Sequence, residues 1–197
     1  IGPSPDSIYK MGNKTIARNI ARKHNIPLTE GSTQNVKDAN EASKIADKIG
    51  YPVMIKAASG GGGKGMRIVK SANQMEKMFR LASSEAEKAF NDGDVFVEKY
   101  IEYPRHVEIQ IVADRFGNVI HLGERECSIQ RKHQKLIEEA PSPAVDEKLR
   151  EKMGDVAKKI ARAVNYENLG TVEFLLDKKG NFYFMEMNTR VQVEHPV

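Results

Sequence analysis

The stretch YPVMIKAASGGGGKGMRIV, residues 51–69, decides the fold of this chain. Its apolar ends and its four consecutive glycines predict a strand over residues 51–58, a glycine turn, and a second strand over residues 66–69. Such a hairpin offers backbone N–H groups that no side chain obstructs, so it can fold over the phosphates of a nucleotide. Lys56, at the end of the first strand, would add positive charge. A flexible surface hairpin is the alternative, although ordering four glycines costs more entropy than a simple turn requires.

Two common phosphate-binding motifs do not fit this hairpin. Gly60, Gly62 and Gly65 formally satisfy the dinucleotide pattern G-x-G-x-x-G, but that site requires a helix directly after the glycines, and a strand is predicted there. A P-loop is excluded as well, because Lys64 is followed by Gly65 instead of Ser or Thr. The pattern therefore favours a strand–turn–strand phosphate site.

The composition of the whole chain limits what the hairpin can belong to. The 197 residues are 40% hydrophobic and 29% charged, which is typical of a globular protein with a core. No apolar run approaches the roughly 20 residues of a membrane helix, so no membrane partner is expected. The net charge of +4 suits anionic substrates and does not indicate nucleic acid. The single cysteine, Cys127, favours a reducing compartment, namely the cytoplasm, or the mitochondrial matrix in a eukaryote.

The elements around the hairpin alternate between helices and strands. Apolar residues at helical spacing predict helices over residues 7–24, 38–50, 71–90 and 149–164. Two of these helices begin with a predicted capping box, Asp38 with Glu41 and Ser71 with Gln74. Alternating patterns predict strands over residues 95–101, 106–113, 119–123, 171–177 and 182–188. The polar residues 124–143 interrupt the alternation and are predicted to form a loop that carries function.

The last two predicted strands form a hairpin that carries two carboxylates. With a four-residue turn between them, counting back places Glu173 opposite Glu186, with Asn188 on the same face. Opposed carboxylates repel each other unless a cation lies between them, and Mg²⁺ accompanying a nucleotide is the natural candidate. The alternative is a solvent-facing hairpin surface. Phe182 and Phe184, expected on the same face, argue against full exposure.

Polar side chains then recur at every second position. These residues are Asn188, Arg190, Gln192 and Glu194, and an extended segment would direct all four side chains the same way. Arg190 can bind a small oxyanion through two parallel hydrogen bonds, and Glu194 can serve as a general base. An ordinary exposed strand shows the same alternation, so the pattern alone leaves both interpretations open.

Taken together, these segments resemble the biotin carboxylase family within the ATP-grasp superfamily. The matching strings are IGPS at residues 1–4, MGNK at 11–14, KAASGGGGKGM at 56–66, EKYIEYPRHVEIQ at 98–110, ERECSIQRKHQK at 124–135, EEAP at 138–141 and EMNTRVQVEHP at 186–196. The resemblance implies an α+β ATP-grasp fold, with a small α+β lid on a larger, mostly antiparallel sheet body that is incomplete here. It implies a helical lead-in over residues 1–28, a lid over residues 29–101, and a truncated body over residues 102–197 that carries the metal and bicarbonate sites.

The resemblance also assigns roles to individual residues. The residues expected to contact the phosphates of ATP are Lys14, Lys56, Gly62 and Gly63. Those expected to hold adenine are Glu98 and the main chain of Lys99, Tyr100 and Ile101, with His106, Gln130 and His133 around the ribose and phosphates. The expected ligands of Mg²⁺, or Mn²⁺, are Glu173, Glu186 and Asn188. The expected bicarbonate residues are Lys135, Arg190, Gln192 and Val193, with Glu194 as the base.

The implied reaction is the ATP-dependent carboxylation of biotin with bicarbonate. The implied partners are a biotin carrier protein or domain and a carboxyltransferase component, and the parent enzyme is expected to be a homo-oligomer. The resemblance implies further domains before Ile1 and after Val197, one of which supplies a catalytic arginine, so the chain alone is expected to be inactive. Two alternatives stay open: another ATP-grasp ligase, such as a carbamoyl-phosphate synthetase, or a nucleotide-binding module without catalysis.

Overall fold

The computed structural model describes residues 2–59, 63–131 and 134–197, and these residues form five α-helices and eight strands. The helices are α1 (Pro5–Gly12), α2 (Lys14–Lys23), α3 (Ala39–Ile49), α4 (Met75–Phe90) and α5 (Glu147–Ala163). The strands are β1 (Val53–Ala57), β2 (Arg67–Val69), β3 (Val95–Lys99), β4 (Arg105–Ala113), β5 (Val119–Arg131), β6 (Gln134–Glu139), β7 (Asn168–Leu176) and β8 (Phe182–Asn188). Within the described ranges, every helix is too short or too polar to cross a lipid bilayer.

The chain divides into two compact units. The smaller unit comprises Asn13–Thr15 and Thr29–Ile101, and the larger unit comprises Ile1–Gly12, Ile16–Leu28 and Glu102–Val197. The predicted mixture of helices with mostly antiparallel sheet is confirmed, because every strand pairing in both units is antiparallel.

The smaller unit is a three-stranded sheet in the order β2-β1-β3, with α3 and α4 in the same unit. The predicted strands on either side of the glycines are confirmed, since Val53 pairs with Val69 and Ile55 with Arg67. Helix α3 begins as predicted, because the side chain of Asp38 accepts the N–H of Glu41 at 2.8 Å. Its apolar face and the sheet share one buried core, whose members include Ala42, Ala46, Val53, Ile55 and Val97.

Two helix predictions were wrong in detail. The single helix predicted over residues 7–24 is two helices, because the Lys14 N–H donates to Ala58 O at 2.9 Å and so leaves the helical ladder. The capping box predicted at Ser71 is not formed. The Gln74 side chain accepts the Lys70 N–H at 3.0 Å, but the Ser71 hydroxyl bonds to Asn73 at 2.6 Å, and a turn of 3₁₀ helix precedes α4.

The larger unit is a five-stranded sheet in the order β6-β5-β4-β7-β8. The apolar side chains of β4, β7 and β8 belong to one buried core with the apolar stripe of α5, and its members include Val107, Ile109, Val172, Phe174, Phe184, Met153, Ala157 and Ile160. Helix α5 starts at the Asp146 cap, whose side chain accepts the Leu149 N–H at 2.7 Å. Since this core occupies one face of the sheet, the polar side chains of β4 and β7 lie on the other.

The loop predicted over residues 124–143 is instead mostly sheet. Strand β5 continues to Arg131, and β6 pairs with it. The prediction was wrong because β5 is buried on both faces over residues 124–127, where charged side chains are buried in ion pairs. Glu124 pairs with Arg150, while Arg125 pairs with Glu108 on the next strand. A polar strand of this kind has no apolar alternation to reveal it.

The β7–β8 hairpin has the predicted register at its functional end. Glu173 faces Glu186, and Thr171 faces Asn188. The turn holds five residues instead of four, since Leu176 pairs with Phe182. A bulge between Glu173 and Phe174 adds one residue to β8, so Glu173 still pairs with Glu186 as predicted. The bulge also reverses the alternation on β8, so Phe182 and Phe184 pack in the core against Phe174. The expectation that these two rings share the face of the carboxylates was therefore wrong.

Candidate active site

A row of charged residues crosses the polar face of the larger sheet. The pairing places Arg125 of β5 opposite Glu108 of β4, Glu108 opposite Glu173 of β7, and Glu173 opposite Glu186 of β8. Glu108 is fully buried, while Arg125 is 2% and Glu173 3% exposed. Three carboxylates in adjacent register positions are unfavourable unless cations lie among them. The row therefore depends on Arg125 and on a second cation from outside the row.

Lys135 of β6 is that second cation. Its Nζ contacts Glu108 Oε2, lies 3.0 Å from Glu173 Oε1, and lies 3.5 Å from Glu194 Oε1. Burial by itself would lower the pKa of the Lys135 ammonium, but the charges of Glu173 and Glu108 outweigh it and hold the pKa above its usual value. Lys135 therefore remains charged and connects the carboxylate row with the C-terminal segment.

The C-terminal segment, residues 189–197, brings Glu194 to Lys135. After β8 the chain leaves the sheet and turns, so that the buried Gln192 donates from Nε2 to Glu194 Oε1 at 2.8 Å. Asn188 bonds to Glu173 and Gln192 bonds to Glu194, and both of these carboxylates lie within 3.5 Å of Lys135 Nζ. Arg190 is exposed, and its Nη1 donates to Val191 O at 3.2 Å. The segment is not one extended strand, so Arg190 does not share the orientation predicted for all four side chains.

Glu173 is at the centre of these contacts. Its Oε1 accepts from Asn188 Nδ2 at 2.7 Å and from Lys135, and its Oε2 lies 2.9 Å from His106 Nε2. The other ring nitrogen of His106 is 2.7 Å from Gln130 Nε2. Burial would raise the pKa of Glu173, but hydrogen bonding from His106 and the charge of Lys135 outweigh it and hold the pKa below its usual value. Glu173 is therefore a carboxylate.

This side of the hairpin fits a hard cation. Glu173 and Glu186 face each other in register, and the Asn188 amide contacts Glu173, so oxygen donors of the kind that Mg²⁺ prefers are grouped on one face. His106, Glu108 and Glu173 also present ligand atoms within 4.8 Å of one another. Cys127, on β5, is fully buried, and burial raises the pKa of its thiol.

The smaller unit holds a separate buried ion pair. Lys56 Nζ lies 2.7 Å from Glu98 Oε1, and the Thr29 hydroxyl donates to Glu98 Oε2 at 2.7 Å. Lys56 is 7% and Glu98 5% exposed. The resemblance assigns Lys56 to the phosphates and Glu98 to adenine, yet these two side chains are hydrogen-bonded to each other. The Thr29 contact was not predicted.

The remaining predicted nucleotide residues of the smaller unit lie around these strands. Lys99 Nζ donates to Gly50 O at 2.9 Å, and the Tyr100 N–H donates to Pro52 O at 3.2 Å, so both are fixed to the start of β1. Ile101 is the last residue of the smaller unit. Lys14 is also part of this unit, which includes Asn13–Thr15. Gly63 has a left-handed φ of 74°. Gly62 and His133 lie outside the described residues.

Sequence reasoning missed four residues that support the site, namely Glu108, Gln110, Arg125 and Thr171. Arg125 donates to Glu108 Oε1 from Nε at 2.6 Å, to Gln110 Oε1 at 2.9 Å and to Thr171 Oγ1 at 3.2 Å. His106, Glu108 and Gln110 occupy alternate positions of a predicted strand, which was a signal for one polar face. The position of Arg125 could not be predicted in the same way, because it required the register between β4 and β5.

The chain belongs to the family described as the carbamoyl-phosphate synthase L chain, ATP binding domain, whose model matches residues 13–197. Within that family its similarity is to biotin carboxylases, as the motifs predicted. It is 57% identical to the biotin carboxylase of Nostoc sp. over 100% of this chain and 44% of that protein. It is 54% identical to a pyruvate carboxylase subunit of Methanothermobacter thermautotrophicus over 100% of this chain and 40% of that protein.

Solved structures similar to this chain are also biotin carboxylases. The biotin carboxylase of Campylobacter jejuni, described as a complex with ATP, has a TM-score of 0.97 and 51% identity over 100% of this chain and 44% of that chain. The biotin carboxylase domain of the Hydrogenobacter thermophilus 2-oxoglutarate carboxylase, described as bound to MgADP and bicarbonate, has a TM-score of 0.96 and 48% identity, over 100% of this chain and 43% of that chain. The predicted ATP-grasp resemblance and fold class are confirmed. The chain spans less than half the length of these proteins.

Proposed function

We propose that this chain forms part of an enzyme that uses ATP and bicarbonate to carboxylate biotin through a carboxyphosphate intermediate. One observation supports the proposal most directly. The ammonium of Lys135 lies within 3.5 Å of both Glu194, the proposed base, and Glu173, a proposed metal ligand. A single cation therefore adjoins both the position where bicarbonate would lose its proton and the position where phosphate charge would be neutralised.

The proposed bicarbonate chemistry uses the C-terminal segment. Lys135 and Arg190 would hold the oxyanion, with Gln192 and the Val193 main chain as further contacts. Glu194 would take the proton of the bicarbonate hydroxyl, and the freed oxygen would attack the γ-phosphorus of ATP as ADP leaves. Carboxyphosphate would then break down to CO₂ and phosphate. Phosphate would accept the N1 proton of biotin, and N1 would form the new bond to the carbon of CO₂.

Each unit supplies proposed nucleotide contacts of its own. In the smaller unit, Lys14, Lys56 and the main chain of Gly62 and Gly63 would contact phosphates, while Glu98 and the main chain of Lys99, Tyr100 and Ile101 would hold adenine. In the larger unit, His106, Gln130 and His133 would contact the ribose and phosphates. Glu173, Glu186 and Asn188 would hold Mg²⁺ or Mn²⁺, which when bound would offset the charge of the transferring phosphoryl group.

The proposed partners follow from the same reaction. The relatives are named as biotin carboxylases and as part of a pyruvate carboxylase, so a biotin carrier protein or domain and a carboxyltransferase component are proposed for this protein as well. We also propose a homo-oligomeric enzyme in the cytoplasm. A second candidate is carbamoyl-phosphate synthesis, because the matching family model carries that name.

The test is an ATP-cleavage assay on the full-length protein. ADP release is expected to require bicarbonate and to rise when biotin is added. Glu194→Gln should abolish bicarbonate-dependent cleavage while leaving nucleotide affinity unchanged. Glu76→Gln is the matched control, because Glu76 forms an exposed pair with Arg80 and should leave the rate unchanged. Cleavage stimulated by ammonia and not by biotin would favour the second candidate, and cleavage independent of bicarbonate would refute both.

A further inference from the structure

The proposed chemistry requires Lys135 to stay near Glu194 and Glu173, yet its shortest contact is with a third carboxylate. Lys135 Nζ contacts Glu108 Oε2 more closely than it contacts Glu173 at 3.0 Å or Glu194 at 3.5 Å. Glu108 is fully buried, and its register partner on β7 is another buried carboxylate. A carboxylate in that environment attracts any cation within reach.

Arg125 satisfies the other oxygen of Glu108. Its Nε donates to Glu108 Oε1 at 2.6 Å, so each oxygen of Glu108 has one cationic partner. Two further donors hold the guanidinium in its plane, Nη1 to Gln110 Oε1 at 2.9 Å and Nη2 to Thr171 Oγ1 at 3.2 Å. With Arg125, two cations are shared among Glu108, Glu173 and Glu194. Without it, Lys135 alone would face all three carboxylates.

We propose that Arg125 is a positioning residue for the reaction: by neutralising Glu108, it leaves the Lys135 ammonium available to Glu173, Glu194 and the bound oxyanion. This inference rests on the proposed function. Arg125 itself is 2% exposed and bonds to Glu108 Oε1 while Lys135 contacts Oε2, so it acts through that carboxylate and not on the substrate. A lysine at position 125 would keep the charge but could not reproduce three donors in one plane.

The test compares two arginine substitutions in the full-length protein. Arg125→Met should lower kcat/KM for bicarbonate by about 10–100-fold, because a displaced supporting group costs that much at other sites, and should leave the KM for ATP unchanged. Arg150→Met is the matched control. Arg150, on α5, forms a two-point pair with the buried Glu124 of β5 at 2.6 and 2.8 Å, and its described ion pair does not include Lys135. Arg150→Met should lower the melting temperature without changing kcat/KM for bicarbonate.

Arg125→Lys provides a second measurement if Arg125→Met does not fold. It should give an intermediate loss of kcat/KM for bicarbonate and leave the KM for ATP unchanged. Equal effects of Arg125→Met and Arg150→Met on kcat/KM for bicarbonate would overturn the inference, since they would indicate a structural role only. An unchanged kcat/KM for bicarbonate in Arg125→Lys and Arg125→Met would overturn it as well. Absence of bicarbonate-dependent ATP cleavage in the unsubstituted protein would instead refute the proposed function, and this inference with it.

Discussion

Replacing Glu173 by glutamine removes one negative charge from the carboxylate row while keeping the shape of the side chain. Two contacts of Glu173 would no longer involve a charged carboxylate, those with Lys135 at 3.0 Å and with His106 at 2.9 Å. A hydrogen bond to a charged group contributes about 1.5–3 kcal/mol against about 1 kcal/mol for a neutral one. Relief of repulsion from the opposed carboxylates would return less than about 1 kcal/mol each. From the middle of each range, the two contacts lose about 2.5 kcal/mol and the relief of repulsion returns about 1 kcal/mol, so the net expectation is a loss of about 1–2 kcal/mol in the free energy of unfolding without metal.

The assay is thermal and urea unfolding of the protein in chelator at neutral pH. For a domain of this size, each kcal/mol shifts the melting temperature by roughly 2–4 °C, so Glu173→Gln should melt roughly 2–8 °C lower. Glu186→Gln is the control, because Glu186 occupies the facing position of the same row but is only half-buried. Its effect should be smaller. A Glu173→Gln protein as stable as the unsubstituted one, or more stable, would mean that repulsion dominates the row, and the reasoning would fail.

Three further outcomes can be measured. Arg190→Lys should lower kcat/KM for bicarbonate roughly tenfold or more in steady-state kinetics, because an ammonium cannot make two parallel hydrogen bonds. Thr29→Val should cost about 1–3 kcal/mol in urea unfolding, since the buried carboxylate of Glu98 loses a donor. Arg150→Met should destabilise the protein at neutral pH but not in acid. The Arg150 pair helps hold the pKa of Glu124 below its usual value against the effect of burial, so its stabilisation is present above about pH 4 and disappears as pH falls further. A pH-independent loss would contradict this assignment.

Elements with a regular apolar pattern could be predicted from the sequence. The stripe of α5 and the strands β7 and β8 appear in the structure close to their predicted bounds, because each buries one apolar face against a common core. The opposition of Glu173 and Glu186 was also predicted, although the turn has one residue more than expected. The bulge adds one residue on β8, and the two differences cancel.

The sequence by itself determined the family, the strand–glycine–strand hairpin and the residues that carry the proposed chemistry, because motifs and apolar periodicity are local properties of the chain. Only the tertiary structure decided that β5 continues as a strand to Arg131 and that Arg125 and Lys135 share Glu108. The reason is electrostatic: a charged residue can be buried only where its partner from another strand satisfies it, and that partner is set by sheet register. The bulge in the β7–β8 register places Phe182 and Phe184 on the face opposite the carboxylates. The same register places Asn188 beside Glu173, where Lys135 also contacts it.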